Sequence, residues 1–223
     1  MKISIIIPTI NSQGYIDNTI SSVDKYFKIL KRDCIVKEYE ILVIAQSIIE
    51  LTPLKNLRMF LCTSQGKGIA INNGLKLSKH EKCLIYDDDL EYNFADIIKL
   101  IEKIKRNDIV IGSRLLKGSN RYSTPKKRIL YSFLYRVLVN LFLKIKTKDI
   151  QSGMKLLKKQ KINFAVNSTG FVWDTELIYK AERNNLKIKE VPITYSYIKK
   201  KKKSPNPFFM LCDFIKFYIK RDS

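Results

Sequence analysis

The sequence predicts an α/β fold with a mostly parallel central sheet and helices on both faces, and three observations carry that expectation. Short apolar runs of strand length alternate with stretches of helical spacing through the first half of the chain. The runs are continuous rather than alternating, as in strands covered on both faces by helices. The chain also has 223 residues, 45% hydrophobic and 28% charged, enough to bury a substantial core. That composition excludes the disordered and fibrous classes.

Taken in order, Ile3–Ile7 is a first strand and Ile16–Leu30 has amphipathic helical spacing. Glu40–Ala45 (EILVIA) and Arg58–Cys62 read as strands, Gly68–Leu77 as a helix and Lys82–Tyr86 as a further strand. Phe94, Ile97, Ile98, Ile101 and Ile104 mark one helix face, and Asp108–Ile111 is a short buried strand. The alternation stops near Ile111, and a helical region is expected from about Tyr122 onward. The expectation is one domain over 1–223, divided into a first half, 1–114, and a second, 115–223. In sheets of this kind ligands sit at the carboxyl ends of the strands.

In the second half, Arg128–Lys144 is apolar except for Arg128, Ser132, Arg136, Asn140 and Lys144, which recur every fourth residue as one narrow stripe. Its apolar arc is too wide for a helix lying on a sheet and reads as interfacial, with the stripe turned inward. A last helix is expected after Asn206 and Pro207, a natural cap and first helical position. It reads equally as core or as a membrane-surface helix.

The formal net charge is +21, and it is unevenly distributed. Residues 1–112 carry 16 basic and 14 acidic side chains, whereas 113–223 carry 26 and 7. The second half therefore faces a polyanion: nucleic acid, an anionic membrane surface or a phosphorylated substrate. No apolar stretch reaches the roughly 20 residues of a membrane span. The opening MKISIIIPT lacks a cleavage site and reads as a strand. Cys34, Cys62, Cys83 and Cys212 have no paired spacing and His80 is the only histidine, so neither a zinc site nor a disulfide framework is expected. A reducing cytosol is the natural compartment.

The sharpest local feature is Tyr86-Asp87-Asp88-Asp89-Leu90-Glu91, directly after an expected strand. Adjacent carboxylates repel one another and need compensation. A divalent ion supplies it, and hard oxygen ligands suit Mg²⁺ or Mn²⁺, which would also hold a substrate diphosphate. A solvated acidic turn is the plain alternative.

Motifs in order along nearly the whole chain resemble those of family-2 glycosyltransferases. The closest likeness is to the branch that moves a sugar onto a polyprenyl phosphate, the dolichyl-phosphate mannose and glucose synthases. Ile5–Asn11 (IIIPTIN) resembles the opening strand and nucleotide loop, Glu40–Ser47 (EILVIAQS) the second nucleotide-contacting strand end, and Gly66-Lys67-Gly68 with Gly74 the glycine-lysine-glycine turn and helix. Asp87–Glu91 falls at the D-x-D metal motif, Ile111–Arg114 (IGSR) at the glycine-serine-arginine, and Arg128 and Ser132 at the acceptor-region arginine and serine. Asp149–Lys155 (DIQSGMK) resembles the acceptor-side loop. Trp173–Leu177 (WDTEL), Glu190–Ile193 (EVPI) and the Lys199–Lys203 run ending at Ser204 resemble the closing segments.

The resemblance implies a GT-A-like nucleotide-sugar-binding fold, with 1–114 as the nucleotide-sugar half and 115–223 facing acceptor and membrane. It implies an inverting transfer from a nucleotide diphosphate sugar to a polyprenyl (dolichyl-type) phosphate, by a protein peripheral on the cytosolic membrane face. Pro8, Thr9, Asn11, Gln46, Gly66, Lys67, Asp87 and Asp88 would bind the donor, and Asp87, Asp89 and Glu91 would hold Mg²⁺ or Mn²⁺. Asp87, Asp89 and Arg114 would carry catalysis. Arg114, Arg128, Ser132, Gln151, Ser152, Lys202, Lys203 and Ser204 would grip the acceptor phosphate, since bringing two anions together calls for cations. The DIQSGMK form favours a UDP-sugar over GDP-mannose.

The chain departs from the family pattern in two places. Ala45 and Gln46 stand where acids usually contact the base, and Ser12 replaces the usual glutamate after Asn11. A glutamine carbonyl still accepts a base N–H but adds no charge. Asp174 and Glu176 fall in the first turn of an expected helix, where acids are favourable, and capping is preferred to catalysis for them. A transferase acting on a glycan or other hydroxyl would need one of them as base. A nucleic-acid-binding module is disfavoured, because it leaves the acidic cluster and the ordered motifs unexplained. A membrane-spanning partner or a homo-oligomer stays open.

Overall fold

The computed structural model describes residues 1–10, 13–89, 91–198 and 207–221. The first half runs β1 (Lys2–Thr9), α1 (Gln13–Arg32), β2 (Glu38–Ala45), β3 (Leu57–Leu61), α2 (Lys67–Leu77), β4 (Lys82–Ile85), α3 (Asp96–Lys103) and β5 (Ile109–Ser113). The second continues β6 (Asn120–Tyr122), α4 (Lys126–Leu143), β7 (Lys155–Lys158), α5 (Trp173–Arg183), β8 (Ile188–Pro192), β9 (Thr194–Ser196) and α6 (Pro207–Lys220). Seven strands form one sheet in the order β3-β2-β1-β4-β7-β5-β8. Within it β7 alone runs antiparallel to its neighbours, β4 and β5. The expected mostly parallel sheet is present, covered on both faces.

Alternation along β1 explains the two layers, because successive side chains point to opposite faces. Ile3, Ile5 and Ile7 pack with Ile16, Ile20, Val23 and Phe27 of α1 and Ile97, Leu100 and Ile101 of α3. Ile6, with Leu42 and Ile44 of β2, faces Ala70 and Ile71 of α2, Val139 and Leu143 of α4, and Trp173, Leu177 and Ile178 of α5. Phe214 and Phe217 of α6 close that second layer.

The region from about Tyr122 onward, expected to be helical, carries strands as well as helices. It supplies β7 to the middle of the sheet, β8 to its edge, and the separate pair β6–β9. β7 reads KLLK, too short and too lysine-flanked to announce a central strand, yet Lys155 within it is fully buried.

The stripe on α4 is also only partly inward. Ser132 and Arg136 are half-buried, but Arg128, Asn140 and Lys144 are exposed, and Val139 and Leu143 are the buried positions. Because 3.6 residues make a turn, a four-residue repeat drifts off any one face. Leu130, Tyr131, Phe133, Leu134 and Leu141 each expose half or more of their surface. α6 packs beside α4 through Tyr135–Phe214 and Phe142–Tyr218 ring contacts, with centroids 6.1 and 5.3 Å apart, and exposes Phe208, Phe209 and Ile219. The two helices thus present apolar residues to solvent side by side. No helix among the described residues is long and apolar enough to cross a membrane.

Glu40 ties the other end of the sheet. Its Oε1 accepts the Ser4 hydroxyl at 2.7 Å and the Lys79 amide at 2.6 Å, and its Oε2 accepts Arg58 at 2.8 Å. Burial alone would raise its pKa, but the Lys79 amide, Ser4 and Arg58 outweigh it and hold the carboxyl below its ordinary value. Glu40→Gln should cost about 1–3 kcal/mol, mostly through the buried amide and hydroxyl, because Arg58 is partly solvated. A depressed folded-state pKa gives stability that is complete above the unfolded value, about 4.3, and lost as pH falls through the folded one. The wild-type advantage in urea unfolding should therefore shrink at acid pH, and an undiminished gap at about pH 2 would refute the assignment.

Candidate active site

β1, β2 and β4 are parallel neighbours, so their carboxyl ends open on one edge of the sheet. Pro8 and Thr9 end β1, Ala45 ends β2, and Asp87 follows β4 by two residues. The Thr9 hydroxyl donates to Asp88 Oδ2 at 2.7 Å, and the Thr19 hydroxyl donates to the Asp88 main-chain carbonyl at 2.9 Å. Asp88 is thereby a peg holding the acidic turn against β1 and α1. Below the turn, the Tyr92 hydroxyl accepts the Gly153 amide at 2.7 Å. Gly153 lies so close to Asp87 that an added Cβ would overlap both its Cγ and Oδ2.

The glycine-lysine-glycine turn lies beside these acids. Gly66 has φ 136°, a conformation that favours glycine, and an added Cβ would meet the Thr169 carbonyl. Gln46 was expected to face a nucleobase, but its amide grips this turn. Its Nε2 donates to the Gly66 carbonyl at 2.6 Å and its Oε1 accepts the Gly66 amide at 3.1 Å. The result aims Lys67 inward. Lys67 Nζ lies 3.1 Å from Asp87 Oδ1 and 3.6 Å from Asp174 Oδ2, while Asp174 Oδ1 accepts Lys155 Nζ at 2.5 Å. Asp87, Lys67, Asp174 and Lys155 therefore form an alternating line of charge. Burial acts to lower Lys67's pKa, but Asp87 and Asp174 outweigh it and hold the ammonium above its ordinary value. Lys155 is pushed the other way, by burial first and by facing Lys67, despite Asp174.

Asp174 is thus not a helix cap. Neither is Glu176, whose oxygens accept the Asn167 and Ser168 amides at 3.0 and 2.7 Å and bond Lys180. Those bonds shape the 167–170 loop, whose Thr169 carbonyl accepts the Gly68 amide at 2.8 Å. Burial works to raise the Glu176 pKa, but Lys180 and the loop amides hold it below its ordinary value.

A second cluster lies toward α4. Glu91, expected with Asp87 and Asp89 around a metal, has bonding partners on the β9 side. Its Oε2 accepts the Tyr195 hydroxyl at 2.6 Å and lies 4.0 Å from Arg128, and its Oε1 accepts the Ile198 amide at 3.3 Å. Burial raises its pKa despite Tyr195 and Arg128. Arg128 also lies over the Tyr197 ring, 4.9 Å from its centroid. Arg114 grips Asp149 with a bidentate fork at 2.8 and 2.7 Å, the structural pair that sequence spacing does not reveal. Burial opposes the charge on Asp149, but Arg114 overrides it and keeps the carboxyl below its ordinary value. Ser152 is fully buried, its hydroxyl accepting the Met154 amide and its carbonyl accepting Lys155, so it shapes its loop rather than facing an acceptor. Gln151 and Ser132 are half-buried. Asn11, Lys202, Lys203 and Ser204 lie outside the described residues.

Among the described residues no three His, Cys, Asp or Glu side chains converge as a complete metal cage. Asp87 and Asp89 remain as a hard-oxygen donor set at a strand end, the chemistry that Mg²⁺ or Mn²⁺ takes when substrate phosphates complete the shell. Two cavities of about 590 and 370 Å³ flank the 143–148 loop, and neither is lined by Asp87, Asp89 or Lys67.

Lys155, Asp149 and Tyr195 are the participants that the sequence left without roles. The first two stood inside the DIQSGMK motif, which was the available signal. Lys67→Met should lower stability by about 3 kcal/mol, because Asp87 and Asp174 would face each other without their shared cation. Asp174→Asn in the same background should cost less than it does alone, a coupling of about 1–2 kcal/mol in a double-mutant cycle. Additive losses would break the alternating line into unrelated contacts.

Comparison with known proteins gives the family. Residues 4–164 match the family described as Glycosyl transferase family 2. The dolichyl-phosphate beta-glucosyltransferase of Dictyostelium discoideum is 27% identical over 91% of this chain and 69% of its own length. The dolichol-phosphate mannosyltransferase of Pyrococcus furiosus is 30% identical over 87% of this chain, which spans 56% of that protein. In fold, the chain is similar to glucosyl-3-phosphoglycerate synthase from Mycobacterium tuberculosis, crystallised with Mn²⁺, UDP-glucose and phosphoglyceric acid. That likeness has TM-score 0.68 at 14% identity, covering 97% of this chain and 79% of the other. With a parallel sheet whose strand ends carry an acidic turn and a glycine-lysine-glycine turn, and with most of its length matched, the chain belongs to glycosyl transferase family 2.

Proposed function

We propose that this protein transfers a hexose from a nucleoside diphosphate sugar to the phosphate of a polyprenyl lipid, at a membrane surface and with inversion at the anomeric carbon. One observation carries the reading: the Asp87–Lys67 site at the strand ends is flanked by an arginine cluster that leads to the solvent-exposed apolar face of α4 and α6. The names of the Dictyostelium and Pyrococcus relatives support the acceptor class.

On the donor side, Lys67 meets the diphosphate as a cation kept charged by Asp87 and Asp174. Asp87 and Asp89 are the residues to hold Mg²⁺ or Mn²⁺, whose chemistry when bound is to neutralise the leaving diphosphate. Gln46 and Gly66 hold the turn that presents Lys67. On the acceptor side, Arg114 and Arg128 neutralise an incoming phosphate that already carries negative charge and needs no strong base. A hydroxyl acceptor would need one. Asp174 has each oxygen beside a lysine and Glu176 is bonded to two amides and Lys180, so neither is placed for that work. The bound ligands of the Mycobacterium structure support a uridine nucleotide as the first donor to test.

Four expected outcomes test this reading. Asp89→Asn should abolish Mn²⁺-dependent transfer while the unfolding temperature holds. Gly153→Ala, whose Cβ pushes Asp87 aside, should lower turnover about a hundredfold. Undiminished turnover of Asp89→Asn in EDTA would remove the metal role. The membrane reading predicts cosedimentation with anionic liposomes that high salt only partly reverses, because buried apolar side chains survive screening. Arg128→Ala should raise the polyprenyl phosphate requirement without changing nucleotide affinity. Complete release by salt, or a defect confined to the donor, would move the acceptor site elsewhere.

A further inference from the structure

The cations near α4 include one that no motif marks. Arg121 lies on β6, outside the main sheet, and its register partner on β9 is Tyr195. The Tyr195 ring in turn carries the Arg114 guanidinium, 5.3 Å from its centroid. Arg121 and Arg114 therefore flank one tyrosine. Arg121 Nε is buried and has no hydrogen-bond partner. Buried donors are almost always satisfied, so an orphaned guanidinium N–H marks a place where a ligand belongs.

Counter-charge is equally short. Among the described residues neither Arg121 nor Arg136 of α4 forms an ion pair. Asp149 favours the Arg121 charge, but both Asp149 oxygens are already bonded to Arg114. The Arg121 guanidinium is pushed below its ordinary value by burial first, then by Arg114 and, more weakly, by Arg136. Arg121 thus sits in net positive, partly desolvated surroundings, its charge opposed by Arg114 and Arg136 and favoured by a carboxylate that Arg114 already occupies. A dianion that accepts several N–H donors suits it, and a neutral hydroxyl does not.

We propose that Arg121, with Arg114 and Arg136, forms a seat for a phosphate monoester, Arg121 being the residue that selects a monoester acceptor over a hydroxyl or a phosphodiester. The inference rests on the polyprenyl phosphate reading for its natural ligand, but the seat itself is a property of the three arginines. Arg114 is the fixed wall, oriented by Asp149. Arg121 offers the unsatisfied donor, and Arg136 adds charge from the helix that borders the apolar face.

The test uses the full chain with Arg121→Met and Arg121→Lys. In phosphate-free, low-salt buffer Arg121→Met should unfold at the same temperature as wild type or higher, because it removes a buried cation that lacks a counter-ion. Inorganic phosphate should then raise the unfolding temperature of wild type, raise that of Arg121→Lys less, and leave that of Arg121→Met unmoved. With citronellyl phosphate as acceptor, Arg121→Met should raise KM by roughly tenfold or more, with UDP affinity as in wild type. Binding to phosphatidylglycerol vesicles should be unaffected, and its loss in Arg121→Met would reassign the seat to a lipid headgroup and overturn the proposal. A lower unfolding temperature for Arg121→Met with the phosphate response intact would make Arg121 a structural residue and also overturn it. If wild type transfers nothing to citronellyl phosphate, the acceptor reading fails, and the phosphate response still decides the seat.

Discussion

The buried alternation of Asp87, Lys67, Asp174 and Lys155 is the interaction on which the rest of the molecule depends. Each charge taken from water alone would be expensive, and only strict alternation makes the group tolerable. The four residues come from four places: the turn after β4, the start of α2, the first turn of α5, and β7. Packing follows from that convergence. Trp173, adjacent to Asp174, is fully buried against α2, and its indole donates to Asn72 at 2.8 Å. Gly68 is small because Trp173 and the Ser168 carbonyl occupy the space its side chain would need. The site is thus a structural joint as well as a chemical one, and loosening it would loosen the contact between α2 and α5.

Much of the fold is legible in the sequence because burial on both faces leaves a plain signature. β1, β2 and β4 are continuous apolar runs, and α1 and α3 show a clear apolar face. The signature fails where a strand is very short or pairs far along the chain. β6 and β9 are three residues each and pair across more than seventy positions. β7 hides a buried lysine among its four residues, and local pattern carries no information about the distant aspartate that makes such burial possible.

The site shows the same division. The acidic turn, the glycine-lysine-glycine turn, Arg114 just after β5 and the arginines of α4 are compact in sequence, so they can be recognised one by one. Their bonding is not compact. Asp149 finds Arg114 across 35 positions, and Glu91 finds Tyr195 across 104. Glu91 stands near Asp89 in sequence and also bonds to Tyr195 of β9, beside Arg128 of α4. Gln46 is a similar case, since the residue type suggested recognition of a base while the fold uses the amide as a bracket for a turn. Spacing tells which groups are near a strand end, but not which of them hold each other.

The position of β7 has a consequence for how the chain is made. It lies between β4 and β5, both of which precede it, and β5 pairs only with β7 and β8. A nascent chain that has passed residue 113 therefore holds β5 without any strand to pair with. The sheet can close only after residues 155–158, and then 188–192, have left the ribosome and crossed back. Such long-range closure is slow and cooperative, because chain entropy is lost before the contacts that reward it form. Lys155 arrives with that late strand and completes the charge alternation beside Asp87. That alternation is among the last parts of the protein to assemble, so its formation reports completed folding rather than any partial state.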